Sequence, residues 1–208
     1  IFPGAGYLEV ARAAGALALR GVYFLQPLAA EAPGLLVECA ISDGRFEVRS
    51  GDDGTLDDAT VHCSGATATG THIWQRADHA SLRTLARAAD VGGLYDGFDA
   101  VGLQYGPGYR TLLNAWGGAS DALARLRARS TYEGTQVHPA DLDDALCTSA
   151  AVASRSEADG TTRLPFAVDE ARLQGSTGAL WAVSARPDER AEAVAVHLGA
   201  HSAPPQAQ

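Results

Sequence analysis

The sequence predicts an α+β fold made of two successive units, each a helix laid against an antiparallel sheet. Three observations point there. Apolar and small residues recur at helical spacing from Pro3 to Gly21, short strand-period runs alternate with turn signals through "VHCSGATA", and the same order then returns in looser form. Two helix-plus-sheet units in one chain imply a duplicated architecture.

The first predicted helix is "PGAGYLEVARAAGALALRG", with Tyr7, Leu8, Val10, Ala11, Ala14, Leu17 and Leu19 on its small, buried side and Gly21 closing it. Strands follow at "GVYFLQPL", "GLLVECAIS", "FEVRS" and "ATVHCSGATA", with a turn at "DGR" and a polar loop at "GDDGTLDD". "THIWQRADHASLRTLARAADV" breaks the strand pattern and reads as a linker carrying a short helix. Beyond it, "VGLQYGPGYRTLLNAWGG" and "SDALARLRARSTY" read as strands and "HPADLDDALCTSAAVASRS" as the second Ala-rich helix. "RLPFAVDEARLQG", "ALWAVSARP" and "AEAVAVHLGA" read as further strands. The expected division is therefore 1–75 for the first unit, 76–92 for the linker, 93–200 for the second unit and 201–208 for an interdomain tail of linker composition.

Composition narrows the function. The 46% apolar content supports a core, and a net charge of -9 repels phosphate backbones and anionic lipid heads, so neither nucleic acid nor a membrane is an expected partner. All 16 basic residues are Arg, which reads first as coding bias. No apolar run approaches the roughly 18 to 20 residues that span a bilayer, and no secretory leader is read. Cys39, Cys63 and Cys147 are widely separated and lack metal-ligand spacing, so reduced thiols and a cytoplasmic location are expected.

Two stretches could carry chemistry. In "HPADLDDALCTSA", Pro139 suits a first helical turn and Asp141, Asp143 and Asp144 suit the positive end of the helix dipole. The same acids could include a buried acid/base group, and Asp143 shares a helix face with Cys147 whereas Asp141 and Asp144 point elsewhere. In "LQYGPGYRTL", Gly106 and Gly108 around Pro107 predict a rigid, close-approach turn flanked by the phenols of Tyr105 and Tyr109. It is either a structural turn with core aromatics or a source of donors. The six His form no cluster, and "LARLRARS" alternates Arg125, Arg127 and Arg129, which on a strand would share one face, either solvated or attractive to an acidic partner.

"FPGAGYLEVARAAG", "VHCSGATA", "LQYGPGYRTLLNAW", "HPADLDDAL" and "LPFAVDEARLQG" occur in the order found in dehydratase domains of modular polyketide synthases, and the chain resembles that family nearly throughout. The resemblance implies a double hotdog, two helices each wrapped by an antiparallel β-sheet. It implies removal of water from a 3-hydroxyacyl thioester on an acyl carrier protein, giving the 2,3-enoyl thioester, with no metal or organic cofactor beyond the carrier's phosphopantetheine arm. Expected partners are the carrier protein and neighbouring synthase domains, and dimerisation is common in the family. The Asp motif puts the acid at Asp143, the "YGP" turn matches Tyr105, Gly106 and Pro107, and Pro3 and Cys147 complete the substrate site.

The family's His belongs to a pattern HxxxGxxxxP whose final Pro is Pro3, which places that His nine positions earlier, before Ile1; His138 matches only a structural His. A chain starting at Ile1 is accordingly expected to be nearly inactive. Cys147 stands where the family has Gln or His, Tyr109 and Arg110 replace Phe and Gln, and Asp141 replaces an apolar residue. The alternatives are a non-catalytic, degenerate dehydratase kept as a spacer, and a double-bond isomerase or cyclase on the same scaffold.

Overall fold

Helix α1 (Gly4–Ala13) is shorter than the periodicity predicts, and Gly15 is the reason. Gly15 takes φ +113°, its N–H bonds the Arg12 carbonyl at 2.9 Å and the Ala16 N–H reaches back to Ala11 at 3.0 Å. This paired closure needs a left-handed residue, so the helix stops there and residues 18–24 are released as strand β1 (Ala18–Phe24). Leu19 and Val22 are buried in that strand, which is why apolar spacing alone extended the helix through them.

The computed structural model describes residues 1–16, 18–31, 33–51, 55–68, 78–152, 167–173, 180–185 and 195–200. After β1 come β2 (Leu36–Ser42), β3 (Arg45–Gly51) and β4 (Thr60–Thr67). Asp43 and Gly44, with φ of 50° and 73°, make the two-residue turn between β2 and β3 that the "DG" pair predicts. Next are α2 (His79–Leu85), β5 (Arg87–Ala89), α3 (Val91–Ala100), β6 (Leu112–Gly117), β7 (Asp121–Leu126) and α4 (Pro139–Cys147). β8 (Ala167–Arg172), β9 (Leu180–Ala185) and β10 (Ala195–Ala200) complete the described elements.

Two five-stranded antiparallel sheets result, ordered β2-β3-β4-β1-β8 and β10-β9-β7-β6-β5. Each belongs to one compact unit and each unit has its helix, the double hotdog plan. The units are discontinuous: Ile1–Ile73, Glu133–Pro139 and Arg163–Gly175 make the first, and Trp74–Tyr132, Ala140–Thr162 and Ser176–Gln208 the second. This differs from the division 1–75, 76–92, 93–200 in two ways. β8 pairs with β1 in the first sheet, and the stretch read as linker supplies α2 and β5, with β5 paired to β6. The tail 201–208 and His72 lie outside the described residues.

In the first unit α1 buries Ala5, Tyr7, Leu8 and Ala11, and the sheet buries Val22, Phe46, Val48 and Cys63. Each such large side chain contributes about 1.5–3 kcal/mol. Glu9 and Arg12 of α1 are also buried, joined at 2.6 and 2.8 Å, and Glu9 additionally accepts from the backbone N–H of Gln136 and Val137 at 2.8 and 3.4 Å. In the second unit Leu112, Ala115, Ala124, Leu126, Leu180 and Ala182 form one face of the sheet with Ala145 of α4 and Tyr95 of α3 packed in the same core. α2 lies over the opposite face, with Arg83 5.2 Å from the Trp116 ring and His79 stacked on Trp181 at 5.0 Å.

His62 on β4 shows how buried polar groups are satisfied. Its Nδ1 is 3.2 Å from the Gln26 carbonyl, which can only accept, so Nδ1 carries the proton and Nε2 accepts from the Ser50 hydroxyl at 2.7 Å. Replacing Ser50 with Ala leaves a buried acceptor unpaired. The expected cost is about 1–2 kcal/mol, read from the urea midpoint at constant m; an unchanged midpoint would show that the bond contributes nothing net.

Candidate active site

The three acids of α4 have three different fates. Pro139 opens the helix, as its fixed φ and missing N–H suit a first turn. Asp141 is buried and receives the Arg129 guanidinium, whose Nε lies 2.8 Å from both carboxylate oxygens. Asp144 is fully buried and accepts from the Tyr95 hydroxyl at 2.9 Å, the Thr111 hydroxyl at 2.6 Å and the Thr111 backbone N–H. Those two carboxylates are committed to holding α4 against β6, α3 and the chain after β7.

Asp143 is the third, half-buried one, and no cation bonds it among the described residues. Burial pushes its carboxyl up to about 6, the neighbouring Asp144 charge pushes in the same direction, and a hydrogen bond from Tyr105 partly opposes both. A carboxyl in this condition is part protonated near neutrality, so it can donate a proton as well as accept one. The helix dipole does not explain it, because Asp141 is the acid in the first turn of α4.

Tyr105 and Cys147 complete the cluster. The Cys147 thiol, one helical turn along from Asp143, donates to the Tyr105 oxygen at 3.2 Å. Burial pushes Cys147 up to about 12, so it is a neutral thiol, and burial also raises the Tyr105 phenol. Tyr109 is half-buried nearby, raised by burial and by the Asp143 charge and lowered by Arg129.

Gly106 and Pro107 lie in the exposed turn that delivers Tyr105, with Pro107–Tyr109 as a single 3-10 turn. The predicted close approach of this turn is absent: a Cβ on Gly106 or Gly108 would meet nothing within 4 Å. Pro3 belongs to the first unit, where it is the extended N-cap residue of α1. The expected Arg face also fails, because β7 ends at Leu126. Arg127 turns to the Pro107 and Arg110 carbonyls and Arg129 to Asp141, so only Arg125 remains on the strand. Tyr95 and Thr111, the donors to Asp144, were missed; Tyr95 sits in α3, a helix whose Gly92, Gly93 and Gly97 hid it from pattern reading.

Replacing Tyr105 with Phe removes the phenol that opposes the upward shift of the Asp143 carboxyl. The Asp143 midpoint is expected to rise by roughly one pH unit, measured by carboxyl carbon NMR, and a fall or no change would contradict the assignment. A cavity of about 230 Å³ lies elsewhere in the second unit, between α2 and the β6–β7 turn, and includes none of these groups. Among the described residues no group of three His, Cys, Asp or Glu could hold a metal ion, and no helix is long and apolar enough to cross a membrane.

Comparison with known proteins gives one consistent result. The family described as polyketide synthase dehydratase N-terminal domain matches residues 75–201. Polyketide synthase PksN of Bacillus subtilis is 28% identical over 91% of this chain, and GfsE of Streptomyces halstedii is 29% identical over 80%. The chain spans only 4% and 5% of those two proteins. Among solved structures, a trans-AT polyketide synthase dehydratase domain from Brevibacillus brevis superposes with TM-score 0.79 at 24% identity, covering 94% of this chain and 78% of that one. The dehydratase domain from the CurK module of the curacin polyketide synthase gives 0.76 at 22%, covering 96% and 78%.

Proposed function

The chain belongs to the polyketide synthase dehydratase family, and on that premise we propose that it removes water from a 3-hydroxyacyl thioester carried on the phosphopantetheine arm of an acyl carrier protein. The observation that carries the reading is Asp143, the one acid of α4 without a cation or backbone donor among the described residues and held at about 6. A base removes the proton beside the thioester carbonyl, the electron pair forms the 2,3 double bond, and the Asp143 proton goes to the departing hydroxyl, which leaves as water rather than hydroxide. Tyr105 orients the Asp143 carboxyl, and its ring is set by Tyr95 and Phe98 at 6.0 and 5.5 Å. The Cys147 thiol in turn fixes which way the phenol proton points.

The base in this reading is a His nine positions ahead of Pro3, supplied by a segment upstream of Ile1. The test compares the 208-residue chain with a protein extended to include that segment, each given a 3-hydroxyacyl carrier protein and followed by mass spectrometry. The expected result is loss of the mass of one water by the extended protein alone. No loss in a folded extended protein carrying the His would leave the spacer reading, and a shifted double bond or a ring closed without loss of water would leave the isomerase or cyclase reading. The neighbouring synthase domains are proposed as partners on the same ground, since the relatives are multidomain synthases of which this chain matches one small part.

A further inference from the structure

The Tyr105 ring packs against Tyr95 and Phe98, whereas the residues that follow it, 106–108, are exposed. Side chains added at Gly106 or Gly108 would meet nothing within 4 Å. Guanidinium groups supply a restraint. Arg110 donates from Nε to the Tyr105 carbonyl at 2.8 Å while lying 5.3 Å over the Tyr95 ring, whose hydroxyl bonds Asp144. Arg129 grips both oxygens of Asp141 on α4 and reaches the Gly108 carbonyl at 3.4 Å. These two tethers run from the turn toward acids on the helix that bears Asp143, while Arg127 bonds the Pro107 and Arg110 carbonyls at 3.5 and 3.3 Å.

We propose that Arg129 with Asp141, together with Arg110, forms a clamp that holds the 105–110 turn on α4 and so sets the Tyr105 hydroxyl at the Cys147 thiol, beside the Asp143 carboxyl. All three are positioning residues, and their role as such rests on the dehydration proposed above. A planar, always-charged fork suits this role, since it satisfies a buried carboxylate and a backbone carbonyl at once, which Lys cannot do with the same geometry.

The groups facing Asp143 are Asp144 and Cys147 from α4 and Tyr105 from the turn, with Tyr109 also in electrostatic range. The direct test is the double variant Arg129→Met/Asp141→Leu in the full chain, because a buried ion pair replaced by apolar residues of similar volume usually leaves folding intact. The Asp143 midpoint, read by carboxyl carbon NMR without substrate, is expected to rise by about half a pH unit as Tyr105 drifts from it. In a Tyr105→Phe background the same pair of changes is expected to move it no further. In the extended protein kcat is expected to fall about tenfold with KM little changed, the pattern of a lost transition-state interaction.

An unmoved midpoint in the folded double variant overturns the clamp, as does an equal further shift in the Tyr105→Phe background. If the double variant does not fold, Arg110→Gln gives the decision: a raised midpoint supports the clamp and an unmoved one overturns it. Because titration needs no substrate, its failure is distinct from failure of the dehydration reading, which would appear as no turnover in the unaltered extended protein.

Discussion

Replacing Asp143 with Asn is expected to lower dehydration by about a hundredfold to ten-thousandfold while making the protein more stable at neutral pH. The two effects have one cause. Burial and the Asp144 charge lift the Asp143 carboxyl from 3.8 to about 6, so between those values the folded protein holds a proton that the unfolded chain has lost. Stability then falls as pH rises through that window, and above it the folded state carries the full cost of a buried charge. Asn carries none. The gain for Asp143→Asn is therefore expected to be absent below about pH 4, to grow through the window and to reach on the order of 2–3 kcal/mol at pH 7. Urea titrations at several pH values measure it, and a gain that is constant with pH would contradict a raised carboxyl.

Turnover has the matching signature. A general acid works while protonated, so the alkaline limb of kcat/KM in the extended, His-bearing protein is expected near pH 6 and missing from whatever activity the Asn variant retains. A site carboxyl that costs stability and is kept at that cost is the pattern of a functional group. A spacer domain would have no reason to preserve it, so finding Asp143→Asn more stable in a protein that itself shows no turnover would favour the spacer.

The parts of the fold that were legible in the sequence are those governed by neighbours along the chain. The Asp43–Gly44 turn, the strand period of β2, β3 and β4 and the start of α4 at Pro139 each rest on local rules. What escaped was decided at a distance or by a single residue: Gly15 ends α1, three glycines disguise α3, and β8 joins β1 from a remote part of the chain. The site divides in the same way. The i, i+4 spacing placed Asp143 and Cys147 on one face, and the structure joins Cys147 to Tyr105. The commitment of Asp144 to Tyr95 and Thr111, and of Asp141 to Arg129, depends on elements brought together only by folding.

Loss of Glu9 is expected to be the most damaging single change to the fold. Glu9 and Arg12 are both buried on α1, and truncating one partner leaves the other charged and unpaired, at a cost of about 3–5 kcal/mol. Many such pairs can be exchanged together for apolar residues without penalty. This one is expected to resist that exchange, because Glu9 also accepts from the N–H groups of Gln136 and Val137, which would be orphaned in either variant. The prediction is thus that Glu9→Leu/Arg12→Met remains destabilised by about 1–3 kcal/mol whereas Glu9→Gln, which keeps an acceptor, costs less than Glu9→Ala. Gln136 and Val137 lie in the 133–139 segment of the first unit, and its last residue, Pro139, is the first of α4. Amide exchange at Gln136 is the local readout: strong acceleration in Glu9→Ala, out of proportion to the global loss, is expected, and exchange tracking only global unfolding would show that the segment is held by other contacts.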